Sequence, residues 1–178
     1  MKRVQYGDGK ALLDLGCGDG RDAEFFLAHG FTVTAVDLAD EAIRSLQERF
    51  PKIKAVCTDL RDVHFPDAAF DVIYAHLSLH YFDDATTRTL FRTVHRMLRS
   101  GGYFFVKCKS IKDPLFMQGD KVGEDMYRHG DTNPMTRHFF SEGYMCDLLA
   151  EFSEKEIRSS TAKYDGKESA FVDGVARK

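Results

Sequence analysis

The chain has 178 residues, 43% of them apolar and 30% charged, with a formal net charge of −3. That length fits one domain with one core, the composition excludes a disordered chain, and the slightly acidic balance argues against a sequence-independent nucleic-acid binder. No apolar run approaches the roughly 20 residues that cross a bilayer, the start MKRVQYGDGK lacks a signal-peptide stretch, and Cys17, Cys57, Cys108 and Cys146 form no CxxC pair. Neither a disulfide framework nor a metal site is therefore expected, no membrane partner is expected, and a reducing cytoplasm is the expected location.

ALLDLG (11–16) is a short apolar run closed by glycine and reads as a buried strand. Asp22 to His29 has a helical pattern capped by Gly30. FTVTAVD (31–37) is β-branched and predicts a second strand; a helix with Ile43, Leu46 and Phe50 on one face follows and stops at Pro51. KIKAVCTD (52–59) and FDVIYA (70–75) predict the third and fourth strands. A helix from about Ala85 to Arg99, ended by Gly101-Gly102, precedes a fifth strand, YFFVKCK (103–109). Strands alternating with helices imply a parallel sheet covered on both faces. Ser110 to Arg137, with Pro114 and Pro134 near its ends, reads as a long irregular loop, which in a compact domain is usually functional or mobile. Ser141 can cap a helix to about Glu151, and two strand-like runs around Asp165-Gly166 predict an antiparallel hairpin. No linker divides the chain, so residues 1–178 read as one domain.

The glycines of LDLGCGDG (13–20) fall between the first strand and the first helix. There they permit positive φ, leave room for a ligand against the backbone, and precede free N–H groups at the helix start. The dinucleotide fingerprint GxGxxG requires a third glycine where Arg21 stands. The pattern is instead DxGxGxG, with Asp14 ahead of the turn. A carboxylate there repels a pyrophosphate and attracts a cationic amino group or sulfonium.

DLGCGDGRD resembles the first motif of class I S-adenosylmethionine-dependent methyltransferases. AVDLADEAI (35–43), CTDL (57–60), FDVIYAHLSLHYF (70–82) and LRSGGYFFVK (98–107) resemble, in order, their later motifs, so the likeness runs from about Lys10 to Lys109. Within that superfamily the chain looks closest to small tellurite-resistance and thiopurine-type enzymes. The resemblance implies an α/β, Rossmann-like, mostly parallel sheet with helices on both faces and a C-terminal antiparallel hairpin. It implies S-adenosyl-L-methionine as cofactor, with Gly16, Gly18 and Gly20 lining its methionine and ribose portions and Asp14 orienting its amino group. Asp37, beside Leu38, would take both ribose hydroxyls, Asp59 the adenine amine, and the Leu60 N–H a ring nitrogen. Ala75 and His76 would lie near the reacting end. Relatives often cap the second helix with serine where Ala39 stands, and Asp40 is a candidate substitute.

A sulfonium activates its own methyl group, so the protein's task is alignment and exclusion of water, with a base needed only when the acceptor keeps its proton. His76 and His80 follow the fourth strand and are the candidate bases, histidine titrating near neutrality; packing is the competing role for His80. Tyr127 and His138 are candidate acceptor contacts, with packing again the alternative. AHLSLHYF contains no proline and no cysteine follows a proline, which sets aside two nucleic-acid methylating subclasses. The expected reaction is methyl transfer to a small S, N, O or metalloid acceptor. An NAD-type oxidoreductase and a non-catalytic cofactor-binding module are the alternatives. About ten residues precede the first strand, where related enzymes carry helices that close the pocket; a truncated chain, a minimal form and a homo-oligomer whose neighbouring subunit supplies the cover are all compatible with the sequence.

Overall fold

The computed structural model describes residues 9–130, 135–164 and 166–178, with the side chain of Tyr164 left aside. Pro134 and Asp165, invoked above for a restrained loop end and a tight turn, lie outside the described residues.

The parallel strands are β1 (Ala11–Leu15), β2 (Thr32–Asp37), β3 (Lys54–Cys57), β4 (Phe70–His76) and β5 (Leu98–Lys109). Between and after them come helices α1 (Arg21–Ala28), α2 (Asp40–Arg49), α3 (Asp84–Met97) and α4 (Glu142–Leu148). Three short strands, β6 (Asp120–Gly123), β7 (Met126–His129) and β8 (Met135–His138), follow β5, and β9 (Glu154–Tyr164) and β10 (Lys167–Arg177) end the chain. The main sheet has the order β3-β2-β1-β4-β5-β10-β9. β1 to β5 run parallel, and β10 joins antiparallel to both β5 and β9. The expected architecture and terminal hairpin are therefore present.

Both faces of the sheet are covered because its central strands are apolar on both sides. Leu12, Val33 and Ala35 pack with Ala23, Ile43 and Leu46 of α1 and α2. Leu13, Ile73 and Phe104 pack with Leu90, Phe91 and Val94 of α3 and with Met145 and Leu149 at α4. Chain order reverses between β1 and β4, and in open α/β sheets the crevice at such a switch point receives the ligand.

Several boundaries differ from expectation. α3 stops at Met97, and β5 begins at Leu98, whose ψ of 142° is already extended. Gly101 lies inside that strand at φ 77°, donating its N–H to the Lys178 carbonyl at 2.8 Å, so the glycine pair shapes a strand irregularity and does not end a helix. Ser141 does cap α4, its Oγ accepting from Tyr144 N at 3.0 Å. Asp40 does not cap α2. It pairs with Arg44, and the Ala39 N–H is held instead by Asp37 Oδ1 at 2.9 Å.

The described residues of the segment read as an irregular loop carry three strands. β6, β7 and β8 form an antiparallel sheet pinned by a ring cluster, Phe116 on Tyr127 at 5.4 Å and on Phe139 at 5.5 Å. Strands of four residues carry too weak an alternation to be distinguished from loop.

Candidate active site

The turn after β1 is built by long-range contacts. Gly16 N and Cys17 N both donate to the Val36 carbonyl, at 2.8 and 3.0 Å, and Gly18 N donates to Asp37 Oδ2 at 2.7 Å. Gly16, Gly18 and Gly20 all have positive φ, for different purposes. A side chain at Gly16 would strike Ser78, and one at Gly20 would strike Leu46 of α2. One at Gly18 would meet nothing within 4 Å among the described residues and project into open space. Gly20 therefore serves helix packing, and Gly18 keeps a space open.

Two cavities open at the carboxyl ends of β1, β2 and β4. The larger, about 460 Å³, is lined by Gly16, Asp37, Leu38, Asp59, Leu60, Arg61, Leu77, Ser78, Tyr81 and Phe82. The smaller, about 220 Å³, is lined by Asp14, Gly16, Cys17, Gly18, Asp19, Arg21, Asp22, His76 and Leu77. Gly16 and Leu77 line both, so a ligand reaching from one cavity into the other passes over these two residues. Leu77 holds φ 59°, a strained value for a residue other than glycine, and its N–H donates to the Lys107 carbonyl at 2.9 Å. Next to it, Ser78 Oγ donates to the Leu15 carbonyl at 2.5 Å and ties the end of β4 to the end of β1.

Electrostatics separate the two cavities. In the smaller one Asp14 is buried and its Oδ2 has no hydrogen-bond partner among the described residues. Burial first, then the charges of Asp22 and Asp37, push its carboxyl up to about 7. Burial, Asp14 and Asp37 push the neighbouring Cys17 thiol up to about 12, which removes it as a nucleophile near neutrality. In the larger cavity Asp59 is held by Arg61: the backbone N and Nε donate to Oδ1 at 2.8 and 2.9 Å, and Nη2 donates to Oδ2 at 2.6 Å. The Arg61 fork holds the Asp59 carboxyl below its usual value. Oδ2 keeps acceptor capacity for one further donor.

The expected residues divide accordingly. Asp14, Gly16, Gly18, Asp37, Leu38, Asp59, Leu60 and His76 converge on the two cavities. Ala75 is buried in the sheet interior and Gly20 lies under α2, so neither lines a cavity. His80 is 1% exposed, and burial, followed by the charges of Arg137 and Lys109, pushes it down to about 3. It stays neutral and buried, which fits packing and not proton transfer. Tyr127 is buried against Phe116 and Phe139. His138 is buried against Phe140 and Tyr144, and burial pushes its imidazole below the usual value. Neither residue lines either cavity: Tyr127 packs into the ring cluster of the small sheet, and His138 packs on Phe140 and Tyr144. Sequence reading passed over Asp22, Arg61, Leu77, Ser78, Tyr81 and Phe82. All of them lie within or beside the quoted motifs, but nothing local distinguishes a lining residue from its neighbours. Among the described residues no cluster suited to a metal ion occurs, and no helix is long and apolar enough to cross a membrane.

Residues 12–102 match a protein family described as methyltransferase domain. The phosphoethanolamine N-methyltransferase 1 of Arabidopsis thaliana is 30% identical over 85% of this chain, which covers 32% of that protein. A solved S-adenosylmethionine-dependent methyltransferase from Methanosarcina mazei superposes with a TM-score of 0.83 at 19% identity, covering 98% of this chain and 94% of that one. TehB from Haemophilus influenzae superposes with a TM-score of 0.70 at 20% identity, covering 96% and 58%. The chain spans half or less of the length of the curated relatives it first matches, at 49%, 32% and 47%.

Proposed function

The chain belongs to the methyltransferase domain family, and from that premise we propose that it transfers a methyl group from S-adenosylmethionine to a small-molecule acceptor. The observation that carries this reading is the buried, unpartnered Asp14 oxygen at the head of an acidic cavity that also holds Asp19 and Asp22. Such a cavity attracts an amino group or sulfonium and repels a pyrophosphate, which disfavours an NAD-type ligand. The cofactor, when bound, supplies a methyl carbon already activated by the positive sulfur.

The chain's own residues then have separable tasks. Asp14 accepts from a cationic amino group, recovering the hydrogen bond its Oδ2 lacks. Gly18 leaves the backbone bare beneath the ligand. Asp37, already fixed by the N–H groups of Gly18 and Ala39, presents a charged acceptor to a diol. Asp59 and Leu60 face the far end of the larger cavity, with Leu38 and Tyr81 as apolar walls. A small acceptor agrees with the names of relatives such as phosphoethanolamine N-methyltransferase 1 and the Burkholderia thailandensis 1,6-didemethyltoxoflavin-N1-methyltransferase. We take the partner to be that acceptor, with no nucleic acid and no membrane. Titration calorimetry with S-adenosylhomocysteine and with NAD tests the reading. Binding of the first alone is expected, and binding of NAD alone would overturn it. Binding of S-adenosylhomocysteine without turnover on a panel of thiols, amines, phenols, tellurite and arsenite would favour a non-catalytic module.

A further inference from the structure

Resting on the reading that the joined cavities hold S-adenosylmethionine, we infer that His76 is the base that takes the acceptor's proton, that Asp22 positions it, and that the acceptor is therefore one that arrives carrying its proton, a phenol among them. Asp22 lies in the first turn of α1, which packs on the face of β4 where Tyr74 and His76 project. Its Oδ2 is 3.5 Å from His76 Nδ1. The neighbouring Tyr74 ring is near-parallel to the His76 ring, at 20°, and the Asp22 charge acts on both, adding to burial in pushing the Tyr74 phenol up and opposing the fall of the imidazole.

A carboxylate 3.5 Å from Nδ1 favours a proton on that nitrogen by its charge, which leaves the Nε2 lone pair to accept. Nε2 makes no hydrogen bond to any described residue, while the His76 side chain lines the acidic cavity beside Leu77, where the two cavities join. The charges around the ring come from three elements: Asp22 and Arg21 of α1, Lys107 of β5 and Asp173 of β10. Burial, Lys107 and Arg21 outweigh the two carboxylates and hold His76 below its usual value, so the ring is neutral at pH 7 and able to act as a base. Lys107 is itself engaged by Asp173 at 3.0 Å and Ser160 at 3.1 Å, which keeps its ammonium off the imidazole.

In the transfer, the acceptor oxygen bonds to the methyl carbon, the carbon–sulfur bond breaks with its electrons on sulfur, and the acceptor's proton passes to Nε2. The imidazolium, stabilised by Asp22, returns that proton to solvent. A thiolate or carboxylate acceptor reaches the site without a proton and gains nothing from this arrangement.

Ring ¹⁵N spectra of the ligand-free protein give the first test. His76 is expected as the Nδ1–H tautomer, with Asp22→Asn shifting it towards Nε2–H and lowering its pKa by about one unit. Nε2–H in the wild type, or no change in Asp22→Asn, would overturn the assignment. Methyl transfer to catechol and thiophenol gives the second. Catechol methylation is expected to fall about 100-fold or more in His76→Gln, the usual worth of a positioned base. Methylation of thiophenol with none of catechol overturns the acceptor class. Wild-type binding of S-adenosylhomocysteine separates the two levels. Its absence sinks the methyltransferase reading, whereas a wrong tautomer with binding intact sinks only this one.

Discussion

Gly18 donates its backbone N–H to Asp37 Oδ2 at 2.7 Å, joining the glycine turn after β1 to the end of β2. The other oxygen of the same carboxylate takes the Ala39 N–H at 2.9 Å, at the start of α2. One side chain therefore shapes the floor of both cavities while keeping lone pairs for a ligand.

Asp37→Ala removes both roles. Affinity for S-adenosylhomocysteine should fall by about 1.5–3 kcal/mol, since buried hydroxyls lose a charged acceptor. The Gly18 amide should also exchange faster with deuterium in the free protein. Calorimetry and hydrogen exchange read the two effects separately, and unchanged affinity would remove Asp37 from the cofactor site.

Gly18 and Gly20 should respond differently to substitution. Gly18→Val projects into open space, so the domain should stay folded while S-adenosylhomocysteine binding is lost; the φ of 52° adds strain on the order of 1–2 kcal/mol. Gly20→Ala meets Leu46 and should lower the melting temperature first. Thermal melts paired with calorimetry decide between these outcomes, and a Gly18→Val variant that binds normally would refute the assignment of that space to ligand.

Asp14 should make the free protein less stable as pH rises. Its carboxyl titrates near 7 in the fold against an ordinary value of 3.8, so the folded state holds the proton more tightly than the unfolded chain. The resulting stability is fully present below about pH 4 and is lost as pH rises through about 7. Asp14→Asn keeps the shape without the charge. It should be more stable than wild type at pH 8, on the order of a few kcal/mol, and bind S-adenosylhomocysteine more weakly. Denaturant melts at pH 4, 6 and 8 test this; parallel curves for the two proteins would contradict it.

The small sheet should behave as a cooperative unit. Amides of β7 are expected to exchange slowly even without ligand, because Tyr127 is buried against Phe116 and Phe139. Tyr127→Ala should cost about 2–4 kcal/mol locally and release protection across β6, β7 and β8 while the main sheet stays protected. Fast exchange of β7 in the wild type would restore the picture of a long irregular loop.

What the sequence by itself determined is the alternation of strands and helices, the glycine turn, and the placement of Asp14 and Asp37 at strand ends. These are local signals: apolar runs mark doubly buried strands, 3.6-residue spacing marks helices, and glycine marks positive φ. Only the tertiary structure decided the rest. It placed Asp22 of α1 against His76 of β4, tied Ser78 to Leu15, and turned Leu77 into a left-handed conformation that no local preference favours. It also separated two histidines four residues apart, leaving His76 at a cavity wall and His80 buried and neutral. Both follow the same strand, and the difference between them comes from what packs above. β8 and the residues around Arg137 cover the turn at Leu79–Tyr81, whereas His76 projects to the opposite face beside α1. Burial by a distant segment is set by sheet order and strand direction, and those are not written in any short stretch of the chain.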